Sequence, residues 1–300
     1  MTTHDNCTYH VYMDMQIVPV SSALQRQANT DEQAVTLWLH GKAAHSQRAY
    51  ALDIERFRAV CAKPLQTVTL ADLQAFADSI SELAPASQKR ILSAVKSLLT
   101  FCQKIGYCPF NVGAALPVRM AKNTIAERIL PHEDITRIIE REDNPRNHAI
   151  LRFLYESGCR VSELCGLAWR DVQPRDVGMA QVTIFGKGSK TRHVLISKRL
   201  YAELNRMRGE AGIEAPVFPS KTGKALDQPA VFRVIQAAAR RAGIEQAVSP
   251  HWFRHASASH ALDNGCPISL VKEQLGHSSL QVTSAYVHAR PSDGLFKYLR

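Results

Sequence analysis

From Thr30 onward the apolar positions fall at helical spacing. Val35, Leu37, Trp38 and Leu39 lead into a second run carrying Tyr50, Ile54 and Phe57 on one helix face. Thr69 and Asp72 are spaced as a capping box that opens LADLQAFADSI. Ser87 precedes QKRILSAVKSLLTFCQKIG, whose Ile91, Val95, Leu98, Leu99 and Cys102 form an apolar stripe that Gly106 ends. Residues 30–112 therefore predict a compact four-helix domain, behind an irregular extension at 1–29 without sustained periodicity.

The segment NVGAALPVRMAKNTIAERILP contains two prolines and little apolar periodicity, so 113–130 reads as a linker. A second domain, 131–300, begins with the helical strings ITRIIERE and NHAILRFLYESG. The period then changes to two: QVTIFGKGSKTRHVLIS alternates apolar and polar on both sides of a glycine-rich turn, predicting a β-hairpin. Helices are expected at about 198–211, 228–242, 251–264, 267–275 and 279–287. The fold class is thus mainly α with a small β-hairpin or sheet: a helical N-terminal domain followed by an α+β domain.

Charge narrows the partners. The chain of 300 residues carries a formal net charge of +10, about +3 in residues 1–123 and +7 in 124–300. A basic surface puts nucleic acid ahead of an anionic membrane among the partners. The seven cysteines are odd in number and contain no C-x-x-C, so neither a disulfide framework nor a zinc ribbon is indicated. No apolar run approaches the roughly 20 residues of a membrane helix, and the start lacks a signal-peptide pattern. A soluble, cytoplasmic protein is expected.

The candidate chemistry lies in five strings: GCRVSEL, FGKGSKTR, HWFRHA, LGH and SAYVH. Arg160 stands at a predicted helix start, where an anion is favoured and a guanidinium can grip two oxygens; by itself it is equally a surface ion pair. Glu163, one turn on, can hold Arg160 or a nearby histidine, or simply face solvent. Lys187, in the hairpin turn, is placed to donate a proton to a leaving oxygen, though most turn lysines do not. No Walker A loop is present, because no Gly-Lys step is followed by Ser or Thr.

His251 and Arg254 share a helix face and can meet one phosphate. His251 and His255, at i and i+4, form a metal pair only if a third ligand joins them, and no Glu or spaced ligand does. His255 and His260 therefore read as packing or capping residues. His277, after helix-breaking Gly276, and Tyr286, among Val282 and Ala285, each suit a structural role alone.

Together, G-x-R-x-x-E, a hairpin lysine, H-x-x-R, L-G-H and a tyrosine nine residues later, in this order, resemble the tyrosine recombinase (phage integrase) family, in particular its Xer branch. The likeness covers about 124–290, and AHSQRAYALDIERF and SQKRILSAVKSLLTFC are similar to helices of that family's SAM-like core-binding domain. It implies a site-specific recombinase that cleaves and rejoins duplex DNA through a 3′-phosphotyrosyl intermediate and a Holliday junction. Xer-like chromosome-dimer resolution and mobile-element integration or excision are the roles it allows. Tyr286 would be the nucleophile, Arg160 and Arg254 the phosphate clamps, and His251 and His277 hydrogen-bond donors, with His251 relaying the tyrosine proton. Lys187 would be the general acid and Glu163 a supporting residue.

The same resemblance implies no cofactor or metal and a tetramer on two DNA sites, with a second recombinase or accessory protein as a further partner and a nucleoid-associated location. DNA contacts are expected from Arg48, Tyr50, Lys89, Arg90 and Lys96 in the first domain and from Lys190 and Arg192 beside the hairpin. Two alternatives share parts of the pattern: a type IB topoisomerase-like enzyme, and a DNA-binding relative that has lost catalysis. The first is disfavoured by the helical N-terminal domain and the second by the presence of every motif residue.

Overall fold

The computed structural model describes residues 27–118, 126–186, 190–277, 279, 283, 284 and 286, and it divides into two units, Met1–Lys122 and Asn123–Arg300.

The first unit is built from four helices: α1 (Asp31–Leu39), α2 (Ala44–Cys61), α3 (Leu70–Ser79) and α4 (Pro85–Lys104). Their starts follow local chemistry. Thr30 accepts a hydrogen bond from the Gln33 amide at the α1 N-cap. At α3 the capping box forms in both directions, Thr69 with the Asp72 amide and Asp72 with the Thr69 amide. α4 begins at Pro85, two residues before the expected Ser87, because a proline at the first helical position has its φ preset and needs no amide partner. The amphipathic stripe of α4 (Ile91, Val95, Leu98, Leu99 and Cys102) is buried against Ile54, Phe57 and Phe76. Fully burying each such side chain is worth about 1.5–3 kcal/mol.

This core is longer than the 30–112 segment. Ala28, from the expected extension, is 1% exposed, and Val112 and Leu116 are buried in it. Residues 119–125 of the expected linker lie outside the described residues, as do 1–26.

The second unit surrounds its own core with α5 (His132–Glu140), α6 (Pro145–Ser157), α7 (Val161–Cys165), α8 (Lys198–Arg208), α9 (Gln228–Arg241), α10 (Pro250–Asp263) and α11 (Ile268–Leu275). The predicted hairpin is present as β2 (Ala180–Phe185) and β3 (Thr191–Ile196), paired antiparallel with Val182 opposite Val194. A third strand, β1 (Val172–Pro174), pairs with β2; at three residues it is too short to show alternation in sequence. Ala180, Val182, Ile184, Val194 and Ile196 are buried, so one sheet face covers the helical core and the other stays open. Only parts of the helix expected at 279–287 are described. Among the described residues no helix is long and apolar enough to cross a membrane.

Candidate active site

α6 ends at Gly158 in the left-handed conformation, φ +57°, a backbone that side-chain-bearing residues rarely adopt. The chain turns there, and Arg160 becomes the N-cap of α7. Glu163, at the third helical position, accepts the Arg160 amide at 2.7 Å and the Arg160 Nη1 at 3.0 Å. The helix start thus fixes Arg160 through its own backbone, and its side chain remains 38% exposed.

α10 supplies the facing residues. His251 and Arg254 are one turn apart, and with Cys159, Arg160, Val161, Ser162, Gln228 and Pro250 they line a cavity of about 120 Å³. At the ≈30 Å³ that a water occupies in the liquid, that is roughly the space of four waters. Arg254 is only 4% exposed, and its Nη1 and Nη2 donate to the carbonyls of Gly158 at 2.6 Å and Leu275 at 2.7 Å. Burial and the nearby Arg160 charge lower its pKa to about 10, so it stays cationic at neutral pH. Two guanidinium groups and an imidazole therefore converge on a small cavity whose charge favours an anion.

The C-terminal side carries the phenol. Tyr286 is 5% exposed and packs with Ala258, Val271 and Leu275. Its hydroxyl lies 3.0 Å from His255 Nδ1, while His277 stacks on the ring at 6.0 Å between centroids and 6° between planes. His277 Nδ1 is engaged by the buried Thr283 hydroxyl at 2.9 Å. Gly276, φ +64°, ends α11 and turns the chain into His277. Burial pushes the Tyr286 phenol above its ordinary pKa, and the Arg254 and Arg160 charges pull it only part of the way back. The imidazoles shift down. Burial first, then the surrounding cations, lower His251 and take His255 and His277 to about 4.

Arg160, His251 and Arg254 are thus brought together; Tyr286 and His277 form a second cluster, which His255 meets one turn beyond His251 on α10. Lys187 lies outside the described residues, although the strands bearing its turn are in place. Among the described residues no group of three or more His, Cys, Asp or Glu is arranged to hold a metal ion.

Several of the basic residues expected to contact DNA have partners within the protein. Arg192 has the most of them: its side chain is 9% exposed, forked on Glu163 at 2.9 and 2.7 Å, with Nε on the Gln274 carbonyl at 2.7 Å. Strand parity explains this, because Arg192 shares a pleat face with Val194 and Ile196, which point to the core. Arg90 pairs with the buried Asp53, and Lys96 donates to the Leu116 carbonyl. Tyr50 stacks on Trp38 at 5.5 Å with Lys42 over both rings. Lys89 is half-buried, whereas Arg48 and Lys190 are exposed.

The packing or capping role expected of His255 leaves out its contact with Tyr286. The available signal is its position, i+4 from His251 and hence on the same face of α10.

Residues 128–293 match a family model described as the phage integrase family, and residues 35–104 match one described as the phage integrase N-terminal SAM-like domain. The tyrosine recombinase XerC of Xanthomonas campestris pv. campestris is 34% identical over 258 residues, covering 82% of this chain and 79% of that protein. Among solved structures, XerH bound to a palindromic difH substrate in a post-cleavage complex superposes with a TM-score of 0.72 at 21% identity, covering 87% of this chain and 82% of that one. A lambda integrase tetramer bound to a Holliday junction gives a TM-score of 0.67 at 18% identity, covering 89% and 83%.

Proposed function

This chain belongs to the phage integrase family of tyrosine recombinases, and from that premise we propose that it breaks and rejoins duplex DNA through a 3′-phosphotyrosyl intermediate at Tyr286. The observation that carries the reading is the convergence of Arg160, His251 and Arg254 on one cavity, with the Tyr286 hydroxyl held at 3.0 Å by His255, one turn beyond His251 on α10.

In this reading the scissile phosphate occupies the cavity. Arg160 and Arg254 hold its non-bridging oxygens as charge builds, an effect worth about 2.7–4 kcal/mol for a single well-placed donor. Arg254 is suited to this because the two carbonyls fix its plane before substrate arrives. His251 hydrogen-bonds the phosphate, and His277, its Nδ1 already held by Thr283, offers Nε2. Tyr286 attacks phosphorus, the bond to the 5′-oxygen breaks, and Lys187 protonates that oxygen. Glu163 keeps Arg160 in place. The 5′-hydroxyl of a partner strand then reverses the step, so phosphodiester energy is conserved and strands exchange through a Holliday junction. Duplex DNA and further copies of the chain, as a tetramer on two sites, are the partners this requires.

The test uses a duplex carrying a site mapped by covalent capture on the host genome, nicked beside the scissile phosphate. The protein should form a covalent adduct with it, and Tyr286→Phe should form none; an adduct that persists in the variant would sink the assignment. Lys187→Ala should cleave slowly and recover on a 5′-phosphorothiolate substrate, whose leaving group needs no proton. An unrecovered rate removes Lys187 as the acid.

A further inference from the structure

α10 divides its polar face between two tasks. His251 and Arg254 line the cavity, whereas His255, one turn beyond His251 and outside the cavity lining, meets Tyr286. Among the described residues the imidazole Nδ1 is the hydrogen-bond partner recorded for the Tyr286 hydroxyl, at 3.0 Å. His251 lies a further ring away, 6.3 Å from His255 between centroids.

We propose that His255, and not His251, is the general base that takes the phenolic proton of Tyr286; this rests on the phosphotyrosyl reading above. In the cleavage step the Tyr286 O–H bond breaks and its proton passes to His255 Nδ1. The freed oxygen pair forms the O–P bond, the P–O5′ bond breaks, and the leaving oxygen takes a proton from Lys187. Rejoining runs the same steps backwards: the 5′-hydroxyl forms its bond to phosphorus, the tyrosyl ester breaks, and His255 returns the proton to Tyr286.

Three features support the assignment besides distance. For Nδ1 to accept, the neutral ring carries its proton on Nε2, and the ring is neutral at physiological pH because burial and the His251, Arg254 and Arg128 charges disfavour the imidazolium. The phenol needs such an acceptor, since burial outweighs the pull of Arg254 and Arg160 and keeps it protonated in the free protein. Finally, a phosphodiester anion in the cavity would sit beside His251 and Arg254, two of the groups that make His255 a weak base. Its charge offsets theirs and raises the proton affinity of His255 when DNA is bound. The charged and titratable groups facing His255 are His251 and Arg254 on α10, Arg128 in the Ala126–Arg128 turn, His277 after α11, and Tyr286. The base is thereby strengthened only when a substrate phosphate is present.

Single-turnover adduct formation on the nicked duplex tests this across pH. His255→Ala should bind the duplex with wild-type affinity and form adduct about 10²–10⁴-fold more slowly, with its rate following pH up toward the tyrosine's own ionisation and recovering with added imidazole. If His255→Ala does not fold, His255→Gln, which keeps volume and an acceptor, should still show the slowed rate and the altered pH profile. Wild-type rate and pH profile in whichever of these variants folds overturns the proposal. The Tyr286→Phe control separates the two failures: adduct in the Phe variant sinks the phosphotyrosyl reading, whereas a dead Phe variant beside a fully active His255 variant sinks only the base.

Discussion

Around the cavity of the C-terminal unit, arginines are taken out of water: Arg192 is left with 9% side-chain exposure and Arg254 with 4% overall. In the N-terminal unit the paired cations stay at the surface, with 39% exposure for the Arg58 side chain, 49% for Lys63 and 47% for Arg90. A surface cation contributes a field that neighbours and salt can replace or screen, and its ion pair is worth about 0–1 kcal/mol. A buried one is affordable only when carbonyls or a carboxylate satisfy its donors, and that same bracing presets its direction. The difference teaches that the paired charge of the first unit stays solvated, while the charge around the cavity of the second is built into its architecture.

The comparison is broken most directly at Glu163. Its side chain is 4% exposed between Arg160 and Arg192, so Glu163→Ala should cost about 3–5 kcal/mol, the range for removing one member of a buried ion pair. Urea unfolding of the C-terminal unit would read it. Burial by itself would raise the Glu163 carboxyl, yet the Arg192 fork, the Arg160 amide and both positive charges bring it below its ordinary pKa. A depressed folded pKa means that the stability is complete above the unfolded value of about 4.3 and is lost as pH falls through the folded one. Wild-type melting temperature should therefore drop more steeply below pH 4 than that of Glu163→Gln.

Arg254→Lys comes next. One ammonium cannot reach both the Gly158 and Leu275 carbonyls and the phosphate, and each buried carbonyl left without a donor costs about 1–3 kcal/mol. Cleavage should fall by roughly 10²–10³, as measured by single-turnover adduct formation. Thr69→Ala, in the first unit, should lower stability by about 1 kcal/mol through loss of a cap and leave cleavage chemistry unchanged. The Asp72 half of that capping box is also held down, to about 2, by Lys63 first and then by Thr69, so its contribution is present above the ordinary carboxylate pKa and fades as pH falls toward about 2. Smallest is Arg48→Ala: no change in melting temperature, and a salt dependence of DNA affinity shallower by about 0.9 if Arg48 meets one phosphate. An unchanged slope would remove Arg48 from the interface.

How legible each feature is follows from the range of the interaction that makes it. Thr69 with Asp72, and Arg160 with Glu163, sit three residues apart, so their geometry is written in the local string. The stripe of α4 and the β2–β3 alternation are likewise local periods. Arg192 is different: its burial depends on the parity of β3, and its second partner is 82 residues away on Gln274. His255 depends on a residue 31 positions on, Tyr286. Motif spacing shows which residues can share a face, whereas the pairings made across the core decide which of two neighbouring histidines meets the phenol and which meets the cavity.

The bond between Arg254 and the carbonyls of Gly158 and Leu275 joins the ends of α6 and α11, which meet so closely that a Cβ on Gly158 would stand 2.5 Å from Leu275 Cδ2. That seam works as an interlock. Any fluctuation that lifts α11 away releases the arginine from its mount, withdraws His277 and loosens the packing of Tyr286 at the same moment. A partly opened molecule would then lose the arrangement that the proposed cleavage needs, which ties strand breakage to the intact fold.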